Sequence, residues 1–114
     1  MKKELDERLY RYAVDIIKFC DSFPKDTSSQ TILRQLIRSG TSVTANVREA
    51  KGASSKRDYI NFYTHALKSA NETEFWILLA RDAREIKNDA LLEETIQIAK
   101  ILAASIITMK RNNK

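Results

Sequence analysis

The chain has 114 residues, 43% of them hydrophobic and 31% charged, which leaves room for one domain with a real core and argues against general disorder. Two glycines and one proline supply too few turn signals for a sandwich or barrel of many short strands, so a few long helices are expected. The net charge of +5 makes acidic partners electrostatically plausible.

Apolar residues recur at three- and four-residue steps along the whole chain. In the first segment Leu5, Leu9, Tyr12, Ile16, Phe19 and Phe23 share one helical face, and Pro24 stops the helix because the residue before a proline is pushed out of the helical region. Thr27-Ser28-Ser29-Gln30 reads as a capping box opening a second helix, with the stripe Ile32, Leu36, Ser39, Val43, Asn46, Ala50 and Gly52 as a left-handed terminator. Ser55-Lys56-Arg57-Asp58 reads as another capping box. The third helix carries Tyr59, Phe62, Ala66, Ser69, Thr73, Trp76 and Ala80, beside a parallel stripe of Ile60, Tyr63, Leu67, Ala70 and Ile77. Asn88 or Asp89 caps a fourth helix whose main stripe is Leu92, Ile96, Ala99, Ala103, Ile106. Helices are predicted over roughly 4–22, 29–51, 56–86 and 90–111. Helices this long on such short connections fold back on one another, so the expected fold is all-α: one antiparallel up-down four-helix bundle over residues 1–114.

The fourth helix has further apolar residues outside that stripe (Leu91, Ile98, Ile101, Leu102, Ile107), and the first adds Tyr10, Ala13, Val14, Ile17 and Cys20. Helices apolar around most of their circumference are usually buried on more than one side, so a homo-oligomer is expected, the competing reading being a broad core face within one protomer. Ser39 and Asn46 on the second helix, with Ser69 and Thr73 on the third, place polar residues on a seam. An antiparallel turn near Ala53 would set Ser39 near the level of Ser69. Specification of register is the favoured reading of that seam, ahead of a ligand contact.

The basic surplus is uneven. Residues 27–58 hold Arg34, Arg38, Arg48, Lys51, Lys56 and Arg57 against Glu49 and Asp58, and the C-terminal stretch adds Lys110, Arg111 and Lys114. Such a patch suits phosphate backbones but has no base-reading signature; the competing reading is a solvated bundle surface. The turn between the second and third helices is a poor helix-turn-helix, since the helix after it is long and striped with apolar residues.

Other chemistries find little support. Cys20 is the only cysteine, so no intrachain disulfide forms, which fits a reducing cytoplasm. The acids Glu4, Asp6 and Glu7 replace the apolar run of a signal peptide, and Ile96–Ile107 is too short and polar to span a bilayer. One His and one Cys cannot build a usual zinc site, and the isolated Gly40 and Gly52 make no phosphate loop. A di-iron site needs Glu-x-x-His motifs, but Phe62 stands three residues before His65. Some helical ribonucleases pair an Arg with a His four to six residues later on one helix. Arg57 and His65 fall outside that window, so no enzyme, cofactor or metal is expected.

The stretch from Arg38 to Trp76 carries Arg38-Ser39, Thr41-Ser42-Val43, Asn46-Val47-Arg48-Glu49-Ala50, Ser55-Lys56-Arg57-Asp58-Tyr59, Phe62, Ala66-Leu67, Ser69 and Glu72-Thr73-Glu74-Phe75-Trp76. In order and spacing it resembles the bacterial family of 23S ribosomal RNA intervening-sequence proteins, which is similar in fold to the accessory variability determinant of diversity-generating retroelements. Many members have Glu-Gly where this chain has Glu49-Ala50, with Gly52 two residues later, which marks a divergent branch. The resemblance implies an up-down bundle, a pentameric barrel and a basic surface for RNA or DNA. The resulting expectation is a cytoplasmic, non-catalytic oligomer that binds nucleic acid in an accessory role. Its candidate contacts are Arg34, Arg38, Arg48, Lys51, Lys56, Arg57, Lys110 and Arg111. The alternative is a protein-interaction scaffold with no nucleic-acid role.

Overall fold

The computed structural model describes residues 2–112, and each of the four expected helices forms. They are α1 (Lys2–Cys20), α2 (Thr27–Ala50), α3 (Lys56–Arg84) and α4 (Asp89–Arg111). Helix α1 closes in a tight turn, where the Ser22 amide donates to Phe19 O at 3.2 Å and the Phe23 amide to Cys20 O at 3.2 Å. The rings of Phe19 and Phe23 meet edge to face there, 5.1 Å apart. Pro24 follows the turn rather than causing it, so α1 ends two residues earlier than the sequence predicts.

Both ends of α2 also differ from expectation. The α2 cap is Asp26, not Thr27: its carboxylate accepts the Ser29 amide at 3.1 Å and the Ser28 hydroxyl at 3.1 Å. Gln30 reaches past the cap to Pro24 O at 2.7 Å. An aspartate outcompetes threonine here because its charge also favours the positive end of the helix. Gly52 is not left-handed. The amides of Lys51, Gly52 and Ala53 donate in turn to Arg48, Glu49 and Ala50 carbonyls, so a tightened last turn satisfies the helix end and no left-handed residue is needed. The left-handed position is instead Glu85 (φ 57°) after α3, where amides 85 and 86 close on the carbonyls of Arg81 and Ala80. Ser55 caps α3 as the sequence predicts, and of the two candidates for α4 the cap is Asn88.

The helices surround a rod of 51 × 21 × 21 Å. Neighbours in sequence pack together, α4 closes back on α1, and among the described residues no Cα atoms of either diagonal pair come within 8 Å of each other. This is the up-down bundle. The closing α1/α4 seam is the sparsest. Gly40 lets α1 and α2 approach closely. A Cβ there would lie 2.8 Å from Ile16 Cδ1 and Cγ2, so α1 sits on the bare backbone of α2.

The α1 stripe is the core face as predicted, with Leu5 half-buried at its end. In α4 the two apolar faces exchange roles: Leu91, Thr95, Ile98, Leu102 and Ile106 are buried, while Leu92, Ile96, Ala99 and Ala103 are half-buried. The bulkier face fills the centre and the alanine-bearing one flanks it. In α2, Val47 and Thr44 take core places, and Asn46 stands half-buried at the edge, donating to the Ser42 carbonyl and hydroxyl at 2.9 Å.

A buried polar layer joins all four helices. Tyr12 of α1 and Thr95 of α4 share a 2.7 Å hydrogen bond, Thr73 of α3 also engages the Tyr12 phenol, and Thr73 donates to Ser39 of α2 at 2.9 Å. Burial pushes the Tyr12 phenol far above its ordinary range, so it stays neutral. One layer along, Ser69 donates to Ser42 at 3.1 Å. The α2/α3 seam is therefore paired as 39 with 73 and 42 with 69, one turn away from the expected Ser39–Ser69 level.

Candidate nucleic-acid interface

The up-down order brings the start of α1, the end of α2, the start of α3 and the end of α4 to one end of the rod. Lys51, Lys56, Arg57, Lys110 and Arg111 therefore share that end, although up to sixty residues separate them in sequence. Lys114 lies outside the described residues. Arg48 lies one turn back along α2. Arg34 and Arg38 do not join this group: they lie 17 and 13 residues before Lys51, about 25 and 20 Å along the axis.

The eight candidate residues differ in how far neighbouring groups occupy their charge. Arg38 is held by Glu72 of α3 and by Gln35 at 2.8 and 3.0 Å. Lys51 pairs with Asp6 of α1. Arg34 donates weakly to Thr31. Arg48 lies over the ring of Tyr10, 5.6 Å from its centroid. Lys56, Arg57, Lys110 and Arg111 are exposed and have no ion pair or side-chain hydrogen bond among the described residues. Their acidic neighbour Asp58 is occupied, accepting the Ser54 amide at 3.1 Å as part of the α3 cap.

Two contrasts sharpen this group. At the far end of the rod, cations meet acids: Arg84 reaches Ser28 at 2.7 Å and Asp26 at 3.6 Å, Arg81 pairs with Asp82 at 2.7 Å, and Lys87 faces Asp89 at 3.6 Å. Lys110 and Arg111 complement the negative end of α4, but Lys56 and Arg57 open α3, where the helix dipole is positive. Cations in a first turn work against local stability by a few tenths of a kcal/mol each. Lys56, Arg57 and the α3 N-terminus therefore carry the same sign, which the C-terminal ends of α2 and α4 at the same end of the rod partly offset.

Two features of this region were not linked to the basic residues by sequence: Tyr10, expected at a subunit interface, and a groove. Tyr10 sits out of phase with the α1 core stripe and is 59% exposed; its phase was the available signal. A groove of about 670 Å³ opens at the sparse α1/α4 seam, floored by Leu5, Tyr59, Tyr63, Ile101 and Met109. Tyr59 and Tyr63 stack there at 5.1 Å, and Arg8 spans the seam with two 2.8 Å bonds to Glu94. Cys20 is buried, with its thiol pushed up to about 11 by burial and then by Asp21, which leaves it a poor nucleophile. Among the described residues, no three metal-binding side chains converge, and no helix is long and apolar enough to cross a membrane.

Comparison with known proteins agrees with this architecture. The model of the family described as 23S rRNA-intervening sequence protein matches residues 3–104. A solved structure of a protein with unknown function from the S23 ribosomal protein family of Bacteroides thetaiotaomicron is 34% identical. It has a TM-score of 0.79, with 89% of this chain and 96% of that chain covered. No curated protein matches.

Proposed function

This chain belongs to the 23S rRNA-intervening sequence protein family, and from that premise we propose that it is a non-catalytic, cytoplasmic, oligomeric binder of RNA or DNA backbone. The observation that carries the reading is the cluster Lys56, Arg57, Lys110 and Arg111, exposed at one end of the rod without carboxylate partners among the described residues. Arg48 and Lys51 extend the surface. Arg34 and Arg38 are secondary contacts on its flank. Phosphates would replace the missing carboxylates and release their counterions. The test is fluorescence anisotropy with labelled RNA and DNA, comparing the native protein with K56A/R57A/K110A/R111A. The variant loses most of the affinity; equal binding by the two proteins rules the cluster out.

Self-association is part of the proposal. Ile17 of α1, Phe75 of α3 and Ile107 of α4 are 41%, 53% and 56% exposed. Helices α1 and α3 are diagonal in the bundle, so apolar groups lie on two opposite sides of one rod. Unlike faces that meet head to tail form a ring when the rotation closes; the pentameric barrel that the resemblance implies is one such ring. Light scattering should give a multiple of the protomer mass, lowered by Phe75→Glu. A native protein of protomer mass at micromolar concentration contradicts this.

The same apolar groups, with Arg38 and Lys51 already paired to acids, favour a second reading: a scaffold for another protein. Recovery of a protein partner that survives nuclease treatment, with no affinity for nucleic acid at physiological salt, selects it.

A further inference from the structure

We infer that Tyr10 and Arg48 form a base-stacking platform, so that the nucleic acid held at the basic end is single-stranded. This rests on the nucleic-acid reading above and deepens it. Tyr10 is 59% exposed, makes no hydrogen bond through its hydroxyl among the described residues, and carries the Arg48 guanidinium over its ring at 5.6 Å from the centroid. Packing within the protomer does not account for so large an aromatic group at the surface. An aromatic ring beside a planar cation is the pair on which exposed bases stack.

Position adds a second argument. Arg48 and Lys51 are three residues apart on the flank of α2 that faces α1, since one lies over Tyr10 and the other pairs with Asp6. Lys51 in turn adjoins the α2–α3 turn and Lys56. The aromatic platform is thus continuous with the cationic end. A backbone running over the end delivers its bases to Tyr10 only if they are unpaired, because duplex bases hide their faces in the stack. The other exposed aromatic is placed differently: Phe75 lies on diagonal helix α3, against Trp76 at 4.8 Å, and the Trp76 indole N–H is committed to Glu72 at 2.9 Å.

The test measures anisotropy of a labelled 20-nucleotide pyrimidine RNA, alone and as its duplex, with native protein, Tyr10→Phe and Tyr10→Leu. Leucine keeps apolar bulk and removes the π face. Tyr10→Phe should bind the single strand like the native protein, and Tyr10→Leu should lose roughly tenfold. Duplex binding should be weaker than single-strand binding and unchanged across the three. Native-like single-strand binding by Tyr10→Leu, an equal loss on duplex, or tighter duplex binding by the native protein overturns the inference. So does a fall in oligomer mass for Tyr10→Leu by light scattering, which would make Tyr10 a subunit contact. The quadruple variant separates the two levels. If it loses binding while Tyr10→Leu does not, only the stacking platform fails. If native protein binds neither probe, or the quadruple variant binds as well as native protein, the parent reading fails and takes the platform with it.

Discussion

Gly40 and Gly52 are the same residue type in two different situations. At Gly40 any side chain collides with three carbons of Ile16, whereas at Gly52 the nearest atom to an added Cβ is the Glu49 carbonyl at an ordinary 3.7 Å. Gly40→Ala should therefore destabilise by about 1–3 kcal/mol through overpacking, while Gly52→Ala should be neutral or stabilise by up to about 1 kcal/mol through the unfolded chain. Urea denaturation of the two variants checks the contrast, and equal effects would refute the close approach of α1 to α2. Asp26 shows a second residue-scale effect. Its carboxyl is held below the ordinary aspartate range by hydrogen bonding from Ser29, whose amide donates at 3.1 Å, with smaller help from Ser28 and Arg84. A folded pKa below the unfolded one contributes stability that is present above about pH 4 and lost as pH falls through the folded value. Asp26→Asn keeps a capping oxygen but cannot titrate, so its stability should fall less than that of native protein between about pH 4 and pH 2. Parallel acid-stability curves would assign that loss to other groups.

At the scale of the helices, the seam between α2 and α3 depends on paired hydroxyls. Thr73→Val leaves the buried Ser39 hydroxyl without Thr73 and should cost about 1–3 kcal/mol. Adding Ser39→Ala should cost less than the sum of the two single changes, because both partners are then gone. Strict additivity in a double-mutant cycle would show that the pair does not set the register. The existence of this seam was legible in the sequence, because Ser39, Ser69 and Thr73 interrupt apolar stripes. Its pairing was not, since a one-turn shift depends on how the α2–α3 turn tightens at Gly52. The α1 core face was equally legible: one stripe stands out against polar neighbours. In α4 two apolar faces compete, and periodicity cannot choose between them. Thr95 meeting Tyr12 across 83 residues and the bulk of Ile98 and Leu102 decide the choice in three dimensions.

For the whole molecule, charge placement is the central issue. The residue types of the basic surface, and the closeness of Lys51, Lys56 and Arg57 around one turn, were readable from sequence, but the rest of the grouping was not. Topology adds Lys110 and Arg111 to the α2–α3 turn and leaves Arg34 and Arg38 on the flank. Long-range pairs then neutralise Arg38 through Glu72 and Lys51 through Asp6. What remains is a cationic end with Lys56 and Arg57 set against a helix dipole. A ring of protomers with their bundles aligned would repeat that end around one rim and raise its potential. The most direct test is the salt dependence of RNA affinity for native protein and for K56A/R57A/K110A/R111A. Log affinity for the native protein should fall linearly with log salt, by about 0.7–0.9 per phosphate contacted, and the variant should have both lower affinity and a shallower slope. Coincident slopes and affinities would contradict the account.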